Sequence, residues 1–279
     1  MRRFRYAPTK FDAIGIGLIL AVFAMLLLSF LPGEYFGRPS STPYLPPSSS
    51  NLLGTNDIGD DVLRVLLHGS RVSLSIGLLG AIVSTLIGTV VGIFAGYMSG
   101  TADEVLGSLT DLFLVVPALP LMIVLAAYLG PSFLNVVMVI GLLWWPTTAR
   151  LVRARARQIR GSPFIEGLVG IGAKKLYIMF RHVLPNVWGV VLARFVLAVS
   201  SSVLLEAGLS FIGLGDPQNP SWGTMLHFAM TRGALLHGAW WTFVPPGICI
   251  SLASLGFILL GMALECRYRS STKSIGEML

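Results

Sequence analysis

The sequence predicts an all-α integral membrane protein with six transmembrane helices. Three observations carry that prediction. Hydrophobic residues make up 54% of the 279 residues, charged residues only 12%, and the mean hydropathy is +0.77. A compact soluble domain of this length cannot hide so much apolar surface. Six runs reach the roughly 20 apolar residues that a spanning helix requires. Fifteen of the twenty Lys and Arg residues fall in three of the segments between and beyond those runs. This composition excludes a disordered chain, a soluble enzyme and a disulfide-stapled secreted module. Two cysteines, Cys249 and Cys266, make neither a disulfide framework nor a metal site by themselves.

The first run, Phe11–Leu31, follows an Arg-rich start. It is longer than a signal-peptide core and has no small-residue cleavage site, so it is read as an uncleaved anchor. The second is Val72–Met98. The third, Leu109–Leu129, contains Pro117 and Pro120. The fourth is Phe133–Ala149 with Pro146, the fifth Val187–Leu209, and the sixth Thr242–Leu264 with Pro245 and Pro246. These prolines are expected to mark kinks, because neighbours in a bundle can re-satisfy the freed backbone groups.

The resulting division is a tail and first span (1–31), an extracytoplasmic segment (32–71), a five-helix core (72–264) with a long loop at 150–186, and a tail (265–279). Orientation follows from the basic residues. Arg2, Arg3, Arg5 and Lys10 precede span one. Arg150, Arg153, Arg155, Arg157, Arg160, Lys174, Lys175 and Arg181 lie in the 150–186 loop, and Arg267, Arg269 and Lys273 in the tail. Only Arg38, Arg64, Arg71 and Arg232 fall on the other side. Both termini and the loop are therefore expected in the cytoplasm. The net charge of +7 reads as topology rather than as a nucleic-acid surface, since the basic loop has no zinc-finger or RNA-stacking pattern. Residues 32–71 open on a Pro- and Ser-rich linker (39–50), and residues 210–241 hold three Trp. Both segments are expected at the outer membrane interface, which favours Trp.

Within span two, Gly80, Ser84, Gly88, Gly92 and Gly96 recur every four residues on one helical face. Small residues at this spacing let a second helix approach closely, and packing is what drives association in lipid. In the 150–186 loop, Ser162-Pro163 reads as an N-cap and N1 pair, and Glu166 sits in the first turn, where the helix dipole favours a carboxylate. Gly170 and Gly172 interrupt the helix, Ala173–Arg181 resumes it, and His182-Val183-Leu184-Pro185-Asn186 leads into span five. The result is a short polar knob of the kind that docks into a groove on a partner.

Here the chain resembles a known family. Glu166-Gly167-Leu168 with Gly172, followed by His182-x-Leu184-Pro185-Asn186, is similar to the EAA loop of ABC-importer permeases. Three further stretches resemble the C-type permease subunits of dipeptide, oligopeptide and nickel importers. They are Leu53–Leu63 with Gly69-x-Arg71-x-Ser73-Leu74, then Leu204–Gly215, then Pro220-Ser221-Trp222-Gly223. The exit of span four, Trp145-Pro146 with Ala149–Arg153, matches as well. Gly167 and Leu168 stand where that family has two alanines, and Ser108 stands where it often has an arginine.

The resemblance implies a type I ABC-importer permease fold with cytoplasmic coupling helices. It also implies half of a pathway for peptides or related small solutes, worked by alternating access. Nickel, metal chelates and oligosaccharides are the alternative cargoes. The implied partners are a homologous permease forming a heterodimer, two ATP-binding subunits that hold ATP and Mg, and an extracytoplasmic substrate-binding protein. The knob at 163–181 would enter a cleft of an ATPase subunit.

No catalytic set is expected in this chain. Gly167 and Gly172 have Walker A spacing, but Ala173 occupies the position of the phosphate-binding Lys. His68, His182, His227 and His237 form no metal-binding pair by spacing, although His227 and His237 share the outer loop. Arg194, inside span five, is a candidate for lining the pathway or for snorkelling to the surface. Glu206, at the far end of that span, is a candidate gate or interface residue. A stand-alone channel or secondary transporter would need an intramembrane charge relay, and an intramembrane enzyme a convergent nucleophile and base. The spans offer neither pattern.

Overall fold

The computed structural model describes residues 10–30 and 42–276, with side chains over 13–30 and 42–268. Arg2, Arg3, Arg5, Arg38 and the start of the Pro/Ser-rich linker lie outside the described residues, as do the side chains of Lys10, Arg269 and Lys273.

The described chain is helical, in the order α1 (Lys10–Leu28), α2 (Val62–Met98), α3 (Thr101–Val115), α4 (Ala118–Leu129), α5 (Phe133–Arg160), α6 (Pro163–Gly170), α7 (Lys175–Ile178), α8 (Leu184–Phe211), α9 (Trp222–Thr231) and α10 (Val244–Gly276). Four helical segments among the described residues are long and apolar enough to cross a membrane. A fifth candidate is the pair α3–α4, bent by 87°, and the apolar part of α1 (Ala13–Leu28) is shorter. The expected kink of span three is thus a break. Val116 precedes Pro117 and is forced to an extended ψ of 127°, which ends α3, and Pro117 then caps α4. Pro146 is accommodated inside α5. The pair Pro245-Pro246 falls in the first turn of α10, where no N–H is needed.

Helix α2 is the centre of the bundle. It begins at Val62 rather than Val72, capped by the Asp61 side chain, which accepts from the Arg64 N–H at 3.0 Å. Its glycines fix the register of α5. A Cβ at Gly88 would lie 2.7 Å from the Trp145 carbonyl oxygen, and one at Gly92 would lie 2.7 Å from that of Ala149. Gly96 meets the Arg153 carbonyl in the same way. Carbonyls four residues apart therefore face glycines four residues apart, rising together, so the two helices run parallel in close contact. Gly80 sits between Ile140 and Ser202, and Ser84 is fully buried with its hydroxyl donating to the Ala81 carbonyl at 3.2 Å.

Helix α8 runs antiparallel to α2, with Glu206 beside Ser73, Val203 on Gly77 and Val199 packed with Ala81. Helix α10 lies on α8, with Gly261 against Leu197 and Gly189 against Tyr268. Helix α1 lies antiparallel on α10, with Gly15 against Leu259 and Gly256 against Ile19. The start of α1 and the end of α10 accordingly share the end of the bundle that carries α6 and α7. We call this the knob end, and the opposite one the cap end.

The cap is folded rather than an extended linker. Residues 42–61 fold onto the bundle because the chain itself satisfies their polar groups. Thr55 accepts through Oγ1 from the Leu45 N–H at 2.8 Å, Asn51 donates to Asp61 at 2.8 Å, and Trp241 Nε1 donates to the Thr55 carbonyl at 3.1 Å. Trp222 and Trp241 are core residues, and of the three tryptophans in this region only Trp240 is exposed. An ion pair of Asp57 with Arg232 and a hydrogen bond from the Tyr44 hydroxyl to the Arg232 carbonyl (2.7 Å) tie the cap to the end of α9.

At the knob end, α3 is held to α5 by Asp103, with a looser exposed pair, Asp111 and Arg150 at 3.6 Å, one to two turns along. Asp103 accepts from Arg153 Nε at 2.6 Å and also pairs with Arg157, while Arg153 Nη2 reaches the Asp103 carbonyl at 3.0 Å. The Arg153 guanidinium lies over Gly107, where any Cβ would displace it. Asp103→Asn leaves two guanidinium groups facing each other without the charge between them. The expected cost is about 1–3 kcal/mol, read as a lower midpoint in thermal unfolding of the detergent-solubilised protein.

Candidate functional site

The knob is built from the backbone outward. Ser162 occupies the N-cap position of α6, with Pro163 at N1. Its hydroxyl does not cap the helix and instead donates back to the Ile159 carbonyl at 2.7 Å. The helix ends in a Schellman turn. The Gly172 N–H bonds the Val169 carbonyl, the Ala173 N–H bonds the Leu168 carbonyl (both 3.0 Å), and Gly172 takes the left-handed φ of +81°. The apolar contact that accompanies such a turn is also present, since Leu168 and Ala173 both pack on the cluster beneath the knob. Gly167 has nothing within 4 Å of where a Cβ would be, and the same is true of Gly172.

After α7 the chain passes through a π-helical turn, Met179–Val183, before α8. Pro185 explains it. Proline has no N–H for the carbonyl four residues back, and its ring crowds that carbonyl, so the turn widens. The Leu184 N–H bonds the Met179 carbonyl, five residues back. Asn186 adds a side-chain donor to the same stretch, its Nδ2 bonding the His182 carbonyl at 2.7 Å. The His182 ring stands edge-on between Phe164 of α6 and Tyr177 of α7, with centroids at 5.3 and 5.6 Å. The histidine thereby ties the two short helices together.

The knob has two faces. Ile165, Ile178, Met179 and Val183 are buried against Ile93 and Tyr97 of α2, Val152 and Ala156 of α5, and Val187 and Val191 of α8. On the other face Phe164, Val169, Ile171, Leu176, Tyr177 and Phe180 are exposed, Ile171 at 80%. Glu166 is also exposed on α6. An apolar face presented on a small polar-backbone element, rooted in three long helices, is suited to enter a groove and transmit its movement.

The other candidates lie elsewhere. Arg194 is half-buried on α8, its Nε without a hydrogen-bond partner among the described residues, and Glu265 of α10 is its opposite charge. Glu206 is wholly buried near the cap end and far along α8 from the knob. It accepts hydrogen bonds from Ser73 of α2 (3.0 Å) and Ser210 of α8 (2.7 Å), and it bonds the Ser221 side chain at the start of α9. Nothing in the spacing of these three serines marks them as sharing one carboxyl group, because they sit in separate stretches of chain. His227 donates to or accepts from no second histidine, since its Nδ1 meets the Phe211 carbonyl at 2.8 Å and His237 stacks on Tyr44. Near the cap, Asp216 shows a balance of effects. Burial works against its charge, but hydrogen bonds from Asn219 and the Gln218 backbone prevail and hold the carboxyl below the usual range.

Residues 88–270 match the family described as the binding-protein-dependent transport system inner membrane component. The chain is 31% identical over 265 residues to the dipeptide transport system permease protein DppC of Bacillus subtilis (strain 168), covering 94% of this chain and 82% of that one. It is 33% identical over 256 residues to the oligopeptide transport system permease protein OppC of the same organism, covering 90% and 83%. It is 35% identical over 249 residues to the di/tripeptide transport system permease protein DppC of Pseudomonas aeruginosa (strain UCBPP-PA14), covering 88% and 81%. With an all-helical bundle, a rooted knob carrying the Glu166–Gly172 motif and this likeness over nearly its whole length, the chain belongs to the membrane-spanning permease subunits of binding-protein-dependent ABC importers, in their C-type branch.

Proposed function

We propose that this subunit forms half of the translocation pathway of an ATP-driven importer of peptides, and that the knob is its coupling element. The observation that carries the reading is the two-faced knob, whose exposed apolar residues await a partner while its buried face grips α2, α5 and α8. ATP and Mg belong to two partner ATPase subunits, each receiving one such knob. Closure of the ATPases would pull the knob and rock the three helices it is rooted in, so that access alternates between the two sides. A homologous permease supplies the other half of the pathway, and a substrate-binding protein delivers cargo at the cap.

The excess of Lys and Arg toward the knob end supports a cytoplasmic side for that end and for both termini, in a protein that we read as one of the inner membrane. The packing of α1 along α10 supports six spans, with α3–α4 as the bent third. Arg194, half-buried on α8 with an Nε unpartnered among the described residues, is the residue we assign to meeting a cargo carboxylate. The peptide cargo follows the names of the three relatives above.

The test is reconstitution in nanodiscs with and without the ATPase subunits and the binding protein. ATP turnover is expected only with the ATPases present, rising further with the loaded binding protein. Turnover by the purified chain alone would overturn the reading. Removing the apolar rim by Phe164→Ala together with Ile171→Ala is expected to weaken ATPase binding about tenfold or more, at the ~1.5–3 kcal/mol of a fully buried apolar side chain, measured by co-purification and titration.

A further inference from the structure

Glu206 has a second feature that the proposed transport cycle leaves unused. Its carboxyl group is linked through serine hydroxyls to a helix start rather than to a cation. Among the described residues no Lys, Arg or His pairs with it. The Ser73 hydroxyl that donates to Oε2 accepts the Trp222 N–H at 3.1 Å. The Ser221 hydroxyl that bonds Glu206 accepts the Thr224 N–H at 3.1 Å, closing a capping box at the start of α9. Two first-turn N–H groups of α9 thus reach one buried carboxyl group through two relay hydroxyls, at the end of the helix whose N–H groups have no partner within it.

The surroundings make the contact tight. A Cβ at Gly223 would lie 2.7 Å from the Ala207 carbonyl oxygen, and one at Gly69 would lie 3.3 Å from the Trp222 nitrogen. Trp222 is fully buried and donates through Nε1 to the Leu66 carbonyl at 3.0 Å. Separating α9 from α2 and α8 would take the Ser221 bond from the carboxyl group and the Ser73 acceptor from the Trp222 N–H, so the separated state is disfavoured.

We propose that Glu206 is a positioning residue that locks α9 to α2 and α8, so that the outer helix moves as one body with the rod whose other end is rooted in the knob. A binding protein pressing on the cap would then be sensed at the ATPase end through α8, without any hinge at α9. This rests on the importer reading above. It excludes a role for α9 as an independently swinging lid.

The experiment places spin labels at two exposed positions, Met230 on α9 and Leu204 on α8, in the full complex in nanodiscs. The expected result is a narrow distance distribution that is the same without nucleotide and with ATP. Glu206→Gln presents an amide donor to hydroxyls that must already donate, so the distribution should broaden. Stimulation of ATP turnover by the loaded binding protein should fall about tenfold, with basal turnover within about twofold of wild type. Ser73→Ala should reproduce this, and the double variant should add little, because both act on one network.

A wild-type distance change of about one helical turn, ~5 Å, between the two states would overturn the proposal. So would a Glu206→Gln distribution and stimulation equal to wild type. If Glu206→Gln fails to assemble, Ser73→Ala carries the same two readouts. The width of the Met230–Leu204 distribution, compared between wild type and Glu206→Gln, judges the lock even if the wild-type complex shows no stimulation, which would count against the importer reading instead.

Discussion

Gly172→Val is expected to reduce uptake to about a tenth or less while the subunit still inserts and assembles. Gly172 has φ +81° and open space around its Cα, so the penalty is conformational and not steric. A β-branched residue in the left-handed region is a genuine outlier, and the conformation alone costs an L-residue roughly 1–2 kcal/mol. At about 1.4 kcal/mol per factor of ten, the Schellman turn is then disfavoured roughly 5- to 30-fold relative to the wild-type chain. The Ala173 N–H loses the Leu168 carbonyl, α7 no longer returns against Ile165, and the exposed rim of α6 loses its fixed relation to that of α7. The bundle beneath remains closed by α2, α5 and α8.

A graded series separates this account from simple crowding. Gly172→Asn, which tolerates the left-handed region, should keep most of the uptake, Gly172→Ala less, and Gly172→Val least. The measurement is uptake of a labelled peptide into vesicles, normalised to subunit incorporated. Equal uptake by the valine variant would remove the knob from the coupling route.

Gly92→Leu is expected to do more damage, and of another kind. The first atom of the new side chain would lie 2.7 Å from both the Ala149 carbonyl oxygen and Val152 Cβ. Half of that clash is with backbone, so no side-chain change across the interface can relieve it. The helices must part, which breaks the run of glycine–carbonyl contacts from Gly88 to Gly96. Overpacking of this kind costs typically 1–3 kcal/mol, and here the loss of neighbouring contacts adds to it. The expected result is a steep fall in folded protein recovered from membranes and a lower unfolding midpoint in detergent. Val152→Ala in the same chain should return only part of the loss. Full recovery would mean that the side chain, and not the carbonyl, sets the helix separation.

Much of this architecture was legible in the sequence. The small residues at 80, 84, 88, 92 and 96 carry their own period, and a helix face is a local property. The Glu166–Gly172 segment was legible for the same reason, since a helix start, a glycine turn and a restart all lie within a few residues. Three things were not. The break at Val116 is a bend of 87° where only a kink was expected, because sequence gives the extended residue before proline but not the direction the chain takes next. The folded cap, with Trp222 and Trp241 turned inward, depends on partners as distant as Thr55 and Leu66. The Glu206 site joins Ser73, Ser210 and Ser221, and only the antiparallel register of α8 on α2 brings the first of these to it. Local period was visible, but register between distant helices was not.

The parallel register of α2 and α5 has a consequence for how the chain is made. The glycine face of α2 finds its partner carbonyls only in α5, with the whole of α3 and α4 synthesised between them. During synthesis that face must wait in lipid or against an insertion factor until Trp145, Ala149 and Arg153 have emerged. The nascent subunit is therefore most vulnerable to misassembly and proteolysis in the interval before α5 is complete. Slowing translation across 101–132 should lengthen that interval, and a chain arrested there should be degraded faster than one arrested just after Arg160.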